Sequence, residues 1–181
     1  MYDGTYDRLP SMSWPFVPLT EYHGGGTEAT IEPLDTHLEA YKAHMVQNYC
    51  MGVQACYRGP RLYDTEKTKN TVEEVVDWYK KYRNILNSPI VHIKRANGRD
   101  MDGIMHVNPE LNEKGLALFF NPTNKTLSQT LKLPMYYTGH SQVVNIQEKD
   151  GEKISYKLAR DYSIDLKVEI PANGSTWFVI Y

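Results

Sequence analysis

The sequence predicts an α/β segment, the last strand–helix units of a (β/α)8 barrel, followed by an all-β antiparallel sandwich. Two observations carry this. Up to about Leu86, apolar residues recur at helical steps between short strand-like runs, whereas from Pro89 onward they alternate at the period of a strand. That second part holds seven or eight short runs separated by turns every ~8 to 12 residues, the rhythm of a sandwich.

The first half reads strand, helix, strand, helix. "SWPFVPL" has strand length, although Pro15 and Pro18 make it irregular. Thr36 with Glu39 three residues on forms a capping box, so a helix is expected from Thr36, with Leu38, Tyr41, Met45 and Tyr49 on one face and Gly52 ending it. "GVQACY" is the next strand and "GPRLYDTEKTKN" a loop. "TVEEVVDWYKKYRNIL" is the clearest helix. Thr71 and Glu74 cap it, Val72, Val75, Val76, Tyr79, Tyr82 and Leu86 form its buried stripe, and Asn87-Ser88-Pro89 stops it.

Then the period changes. "PIVHIKR" and "GIMHVN" flank Asn97-Gly98, a hairpin signal. "GLALFF" leads into the Asn121-Pro122-Thr123-Asn124 turn. In "TLSQTLKL" Leu127, Leu131 and Leu133 face inward; "VVNIQE" and "KISYKL" bracket Lys149-Asp150-Gly151. "SIDLKVEI" sets Ile164, Leu166, Val168 and Ile170 against outward Ser163, Asp165, Lys167 and Glu169, and "STWFVIY" closes the chain. Residues 1–87 are therefore expected to be an incomplete part of a barrel and residues 88–181 the sandwich.

A closed barrel needs eight strand–helix units in about 250 residues. Only about two precede the sandwich here, and two parallel strands cannot bury both faces or protect their edges. The expectation is a C-terminal portion whose partner is an upstream barrel segment. A small independent α/β module is the competing reading.

Composition narrows the function. With 41% hydrophobic and 23% charged residues and a net charge of −2, the 181 residues suit a globular protein and argue against a nucleic-acid or membrane-surface partner. No window reaches the ~18 to 20 apolar residues of a membrane span, and "MYDGTYDRLP" lacks the features of a signal peptide. Cys50 and Cys56 match no common zinc or redox spacing; they read as small buried side chains, or as one bridge if the protein is exported. Tyrosine is abundant, at 14 residues.

The candidate site centres on "PFVPLTEYHGGG". The three glycines carry no phosphate-loop pattern, Glu28 and Glu32 would repel an anion, and the helix starts ten residues later. The other reading is a loop at the carboxyl end of a barrel strand, where such folds place their sites. Glu21, Tyr22 and His23 would sit at that rim, joined from the next strand by Tyr57, Arg58, Arg61 and Asp64. Aromatic rings, charged acceptors and Arg forks suit a polar ligand, although the same ions would also serve simply to staple loops together.

The stretches "LTEYHGGGTEATIEPLDTHLEAY", "GVQACYRGPRLYDTEKTKNTVEEVVDWYKKYRNIL" and "GLALFFNPTNKTLSQTLKLPMYYTG" resemble the closing third of bacterial glycoside hydrolases of the α-galactosidase-like kind. The resemblance implies a barrel followed by a C-terminal sandwich that supports it, a carbohydrate ligand, and no cofactor. It also implies that the paired catalytic carboxylates lie on middle barrel strands upstream, absent here. Glu21 matches neither, so no catalytic residue is carried over and the chain alone is expected to be inactive. Only the rim group transfers, as sugar contacts. The alternative is a non-catalytic carbohydrate-binding or interaction module, with tyrosines forming a surface on the sandwich.

Other candidates favour plain readings. His37 and His44 lie seven apart with no third metal ligand, and His92 and His106 are expected to meet across a hairpin. Asp100 and Asp102 are expected in a solvated hairpin loop, with too few oxygens for calcium. There is no G-x-S-x-G motif.

Overall fold

The computed structural model describes residues 31–52 and 60–181, together with the backbones of two strands, Phe16–Leu19 and Gln54–Tyr57. The open edges of two parallel strands lead to an expectation of exposed apolar surface near Trp14, Phe16 and Val53; Trp14, Val53 and the side chains of Phe16 and Cys56 lie outside the described residues. The chain divides into two compact units, Met1–Leu86 and Asn87–Tyr181.

In the first unit, strands β1 (Phe16–Leu19) and β2 (Gln54–Tyr57) pair in parallel, Phe16 opposite Gln54 and Leu19 opposite Tyr57. Helix α1 (Leu38–Cys50) lies between them in sequence and α2 (Glu66–Leu86) follows. This is the expected strand–helix alternation. Ile31, Leu34, Tyr41, Met45, Val72 and Val75 make one core, while Tyr49 meets Tyr79 at 4.6 Å between ring centres. Lys42 bridges to Glu74 at 3.0 Å across the two helices.

Both helix starts differ from expectation. Helix α1 begins at Leu38, and His37 at its cap makes no side-chain hydrogen bond, so Thr36 and Glu39 form no capping box. Helix α2 begins at Glu66, five residues before Thr71, because Thr65 accepts the Thr68 N–H at 3.2 Å and supplies the cap itself. Thr71 sits inside the helix, its hydroxyl donating to the Lys67 carbonyl.

The second unit is a sandwich. One sheet has six strands in the order β3 (Ile90–Lys94), β4 (Asp102–Val107), β5 (Gly115–Phe120), β10 (Ser175–Ile180), β7 (Val143–Glu148) and β8 (Lys153–Lys157). The other pairs β6 (Leu127–Pro134) with β9 (Ser163–Ile170), and every pairing in the unit is antiparallel. Alternation explains the packing. Met105, Val107, Ala117, Phe119, Val144, Ile146, Phe178 and Ile180 meet Leu133, Ile164, Leu166, Val168 and Ile170 in one core. Gly103 faces Phe119 in register, and a Cβ there would lie 2.3 Å from the Phe119 ring, so only glycine lets the ring lie flat across β4.

Two polar residues, Asp102 and Ser163, depart from their expected places. Asp102 is the buried first residue of β4, and strands β4 and β5 are buried on both faces. Asp100, half-buried at the end of an otherwise exposed hairpin loop, is held by Lys94 and by Gln129 of β6, so the solvated turn is also tied to the opposite sheet. Ser163 is buried rather than outward because its hydroxyl donates to Asp161 at 2.5 Å. His92 pairs with Ile104 and His106 with Ile90, which leaves the histidines diagonal on one face, His92 exposed and His106 fully buried.

The side chain that locks the two sheets is Asn121. Its amide nitrogen donates to the carbonyls of Lys125 (2.7 Å), Ile170 (3.1 Å) and Pro171 (2.9 Å). Its oxygen accepts the Thr123 N–H (2.9 Å) and hydroxyl (2.8 Å). It is 2% exposed and the Ile170 carbonyl it meets is buried, so losing that bond leaves a dry, unsatisfied acceptor. Asn121→Ala is expected to lower unfolding free energy by about 3 kcal/mol in a denaturant titration. A loss below about 0.5 kcal/mol, the size of an ordinary surface change, would show that water replaces the amide.

Candidate functional site

Between β2 and α2 the chain runs through Pro60–Thr65, and this loop carries the described part of the expected rim. Thr68, one turn into α2, is fully buried and organises it. Its hydroxyl accepts the backbone N–H groups of Asp64 (3.1 Å) and Thr65 (3.0 Å) and donates to the Asp64 carboxylate (3.0 Å). The other Asp64 oxygen accepts the Asp35 N–H at 3.1 Å, and the Thr65 hydroxyl donates to the Asp35 carboxylate at 3.1 Å. The loop before α2 is thereby pinned to the segment before α1. Tyr41, buried on α1, donates its hydroxyl to the Leu62 carbonyl at 2.9 Å and holds the loop from below.

Desolvation pushes the Asp64 carboxyl up, but hydrogen bonds from the Asp35 backbone and the Thr68 hydroxyl outweigh it and hold the group below its ordinary 3.8. Asp64 is therefore ionised at neutral pH and acts as an acceptor, not as a proton donor. Arg61 pairs with Glu32 at 3.5 Å. Leu62 and Tyr63 project outward and, with Val72, Glu73 and Val76, line a shallow groove of about 230 Å³. Arg61 and Asp64 are not among the residues lining that groove, and neither is set as a nucleophile against a base.

The remaining rim residues are not all described. The Tyr57 backbone ends β2, five residues before Leu62, while Glu21, Tyr22, His23 and Arg58 lie outside the described residues, as does the side chain of Tyr57. Arg61 and Asp64 both lie in the Pro60–Thr65 loop. Sequence reasoning passed over Asp35, Thr65 and Thr68; the signal available was D-T-x-x-T, a cap pattern hidden by the stronger T-x-x-E that follows. Among the described residues no group of three His, Cys, Asp or Glu side chains could hold a metal ion. Burial pushes the Cys50 thiol far up, so it stays protonated. No described helix is long and apolar enough to cross a membrane.

No family model matches the chain, and no curated protein matches it in sequence. Its fold does match solved structures. A GH27 β-L-arabinopyranosidase from Geobacillus stearothermophilus superposes on 92% of the chain with a TM-score of 0.54 and 16% identity. α-Galactosidase I from Mortierella vinacea matches 83% of it (TM-score 0.53, 11% identity), and an α-amylase from Geobacillus thermoleovorans matches 80% (TM-score 0.53, 8% identity). The match takes in 37%, 38% and 33% of those chains, so this chain spans about a third of their length. It shares the fold of α-galactosidase-like glycoside hydrolases: an α/β segment followed by an antiparallel sandwich.

Two outcomes test the loop. Thr68→Val keeps the shape and removes the hydroxyl, and is expected to cost about 2 kcal/mol of stability, read from the helical circular dichroism signal during unfolding. Because the Asp64 value is depressed in the folded state, its contribution is fully present above 3.8 and is lost as pH falls through the lower folded value. The helical signal should therefore weaken in that acid range, and Asp64→Asn should make the fall shallower. An identical acid profile for wild type and variant would remove Asp64 from this role.

Proposed function

We propose that this chain is the C-terminal portion of a carbohydrate-active glycoside hydrolase, in which the sandwich supports a barrel and the catalytic carboxylates are carried by a segment outside these residues. One observation carries the reading: a parallel strand–helix segment runs directly into an antiparallel sandwich, in the order found over 92% of the chain in a β-L-arabinopyranosidase. The described loop chemistry is consistent with it. Asp64 is ionised and accepts one bond on each oxygen, Arg61 is ion-paired, and neither is arranged as a general acid.

On this reading the chain contributes binding. Glu21, Tyr22, His23, Tyr57, Arg58, Arg61 and Asp64 edge the barrel mouth and contact the sugar, the arginines as forks to hydroxyl oxygens and the tyrosines as platforms. The fold leaves the sugar open, since an arabinopyranosidase, a galactosidase and an amylase all share it. The reading is tested by release of nitrophenol from nitrophenyl α-galactoside and nitrophenyl β-L-arabinopyranoside. The 181 residues alone are expected to show no turnover, and joining the rest of the barrel is expected to restore it. Steady turnover by the chain alone would overturn the division of labour.

A further inference from the structure

The sandwich carries a second candidate surface, at the end away from Asn121. A single 3-10 turn, Tyr136–Thr138, follows β6, and Met135 before it donates its N–H to the Tyr162 carbonyl at 2.7 Å. Three tyrosines gather there and stay out in solvent: Tyr136 is 66% exposed, Tyr137 57% and Tyr162 42%. The Tyr136 ring stands at 87° to Tyr137 (5.3 Å between centres) and at 72° to Tyr162 (5.9 Å). They form an aromatic corner, which exposes an apolar ring face beside phenolic hydroxyls.

The backbone adds a second sign. Tyr162 has φ 58°, in the left-handed region where a bulky side chain is strained and glycine is expected. The turn is closed by the Tyr162 N–H to the Ala159 carbonyl (3.0 Å) and the Ala159 N–H to the Ser163 carbonyl (2.8 Å), bonds that a glycine would make equally well. A large ring kept at a strained position with 42% of its surface still exposed points to a role beyond packing.

Tyr162 also borders an open groove of about 620 Å³ whose charged lining consists of Lys157 and Arg160, with no carboxylate. The adjoining groove shares Lys157 and Arg160 and adds two carboxylates and Lys132: Asp161 is occupied by Lys132 at 2.5 Å and by the Ser163 hydroxyl at 2.5 Å, and Asp165 lies opposite Lys132 in the β6–β9 register. The groove at Tyr162 therefore presents two cations beside an aromatic corner.

We propose that this end of the sandwich binds an acidic saccharide chain. A pyranose ring rests on Tyr136 and Tyr162, and the carboxylate of a uronic acid unit is met by Arg160 and Lys157. The choice of a saccharide rests on the hydrolase reading above, and the choice of an acidic one on the charge of the groove. The site is a binding site with no chemistry of its own.

The full chain is titrated by calorimetry with a trimer of galacturonic acid and with a neutral galactose trimer. The acidic trimer is expected to bind about tenfold tighter, with an affinity that falls as salt rises. Tyr136→Ala and Arg160→Ala should each weaken it about tenfold or more, while Lys167→Ala, an exposed lysine on the outer face of β9, should leave it unchanged. Tyr162→Gly should weaken binding with an unchanged or raised Tm, because it removes the strain. Equal affinity for the two trimers, no binding of either, or full affinity in Tyr136→Ala would overturn the proposal. So would a dimer in light scattering that Tyr136→Ala dissolves, since the corner would then be a contact between copies. These readouts are affinities on the chain itself, so their failure leaves the nitrophenol test of the hydrolase reading standing.

Discussion

The sandwich depends on one buried amide. Two stacked sheets share no backbone hydrogen bonds, so packing alone would let one slide on the other at little cost. Asn121 removes that freedom. It sits where β5 leaves the six-stranded sheet, and it grips the carbonyls at the start of β6 and the end of β9, the strands of the smaller sheet. Asp100 acts at the same end, reaching from the β3–β4 loop to Gln129 of β6. Held there, the core of Leu133, Ile164, Leu166, Val168 and Ile170 meets Phe119 and Phe178 in a single register.

The opposite end is shaped by other constraints. His140 bonds the Thr138 hydroxyl through one ring nitrogen and the Tyr181 carbonyl through the other, both at 2.8 Å, tying the last strand to the turn after β6. That turn and the β8–β9 turn then have fixed positions, and their side chains can project without being needed for packing. Sheet ends are where a sandwich can vary its loops at small energetic cost. The aromatic corner of Tyr136, Tyr137 and Tyr162 stands on this firm base, and a rigid base spares a ligand the cost of ordering the surface it meets.

The first unit follows similar logic. A loop between a strand and a helix holds its shape only if its polar groups are satisfied locally. Thr68, Thr65, Asp64 and Asp35 do this as a closed set, linking the starts of both helices. Asp64 is therefore a stable negative charge held in a fixed place.

Much of this architecture was readable in the residues. Strands such as β9 bury one face, so Ile164, Leu166, Val168 and Ile170 announced their side at a period of two, and the long stripe of α2 did the same at helical spacing. Local patterns were less reliable at element ends, where T-x-x-E after Lys69 outranked the true cap at Thr65. Tertiary structure alone decided the fate of the isolated polar residues and the meeting of distant rings. What Asp100 is tied to depends on Gln129, 29 positions away, and whether Ser163 faces out depends on a turn bond to Asp161. The tyrosine corner joins Tyr136 and Tyr137 to Tyr162 across the β6–β9 pairing, and the strain at Tyr162 has no signature in a sequence that places tyrosine where glycine would sit. Periodicity reports which face of an element is dry; which residues meet is set by how the elements close on one another.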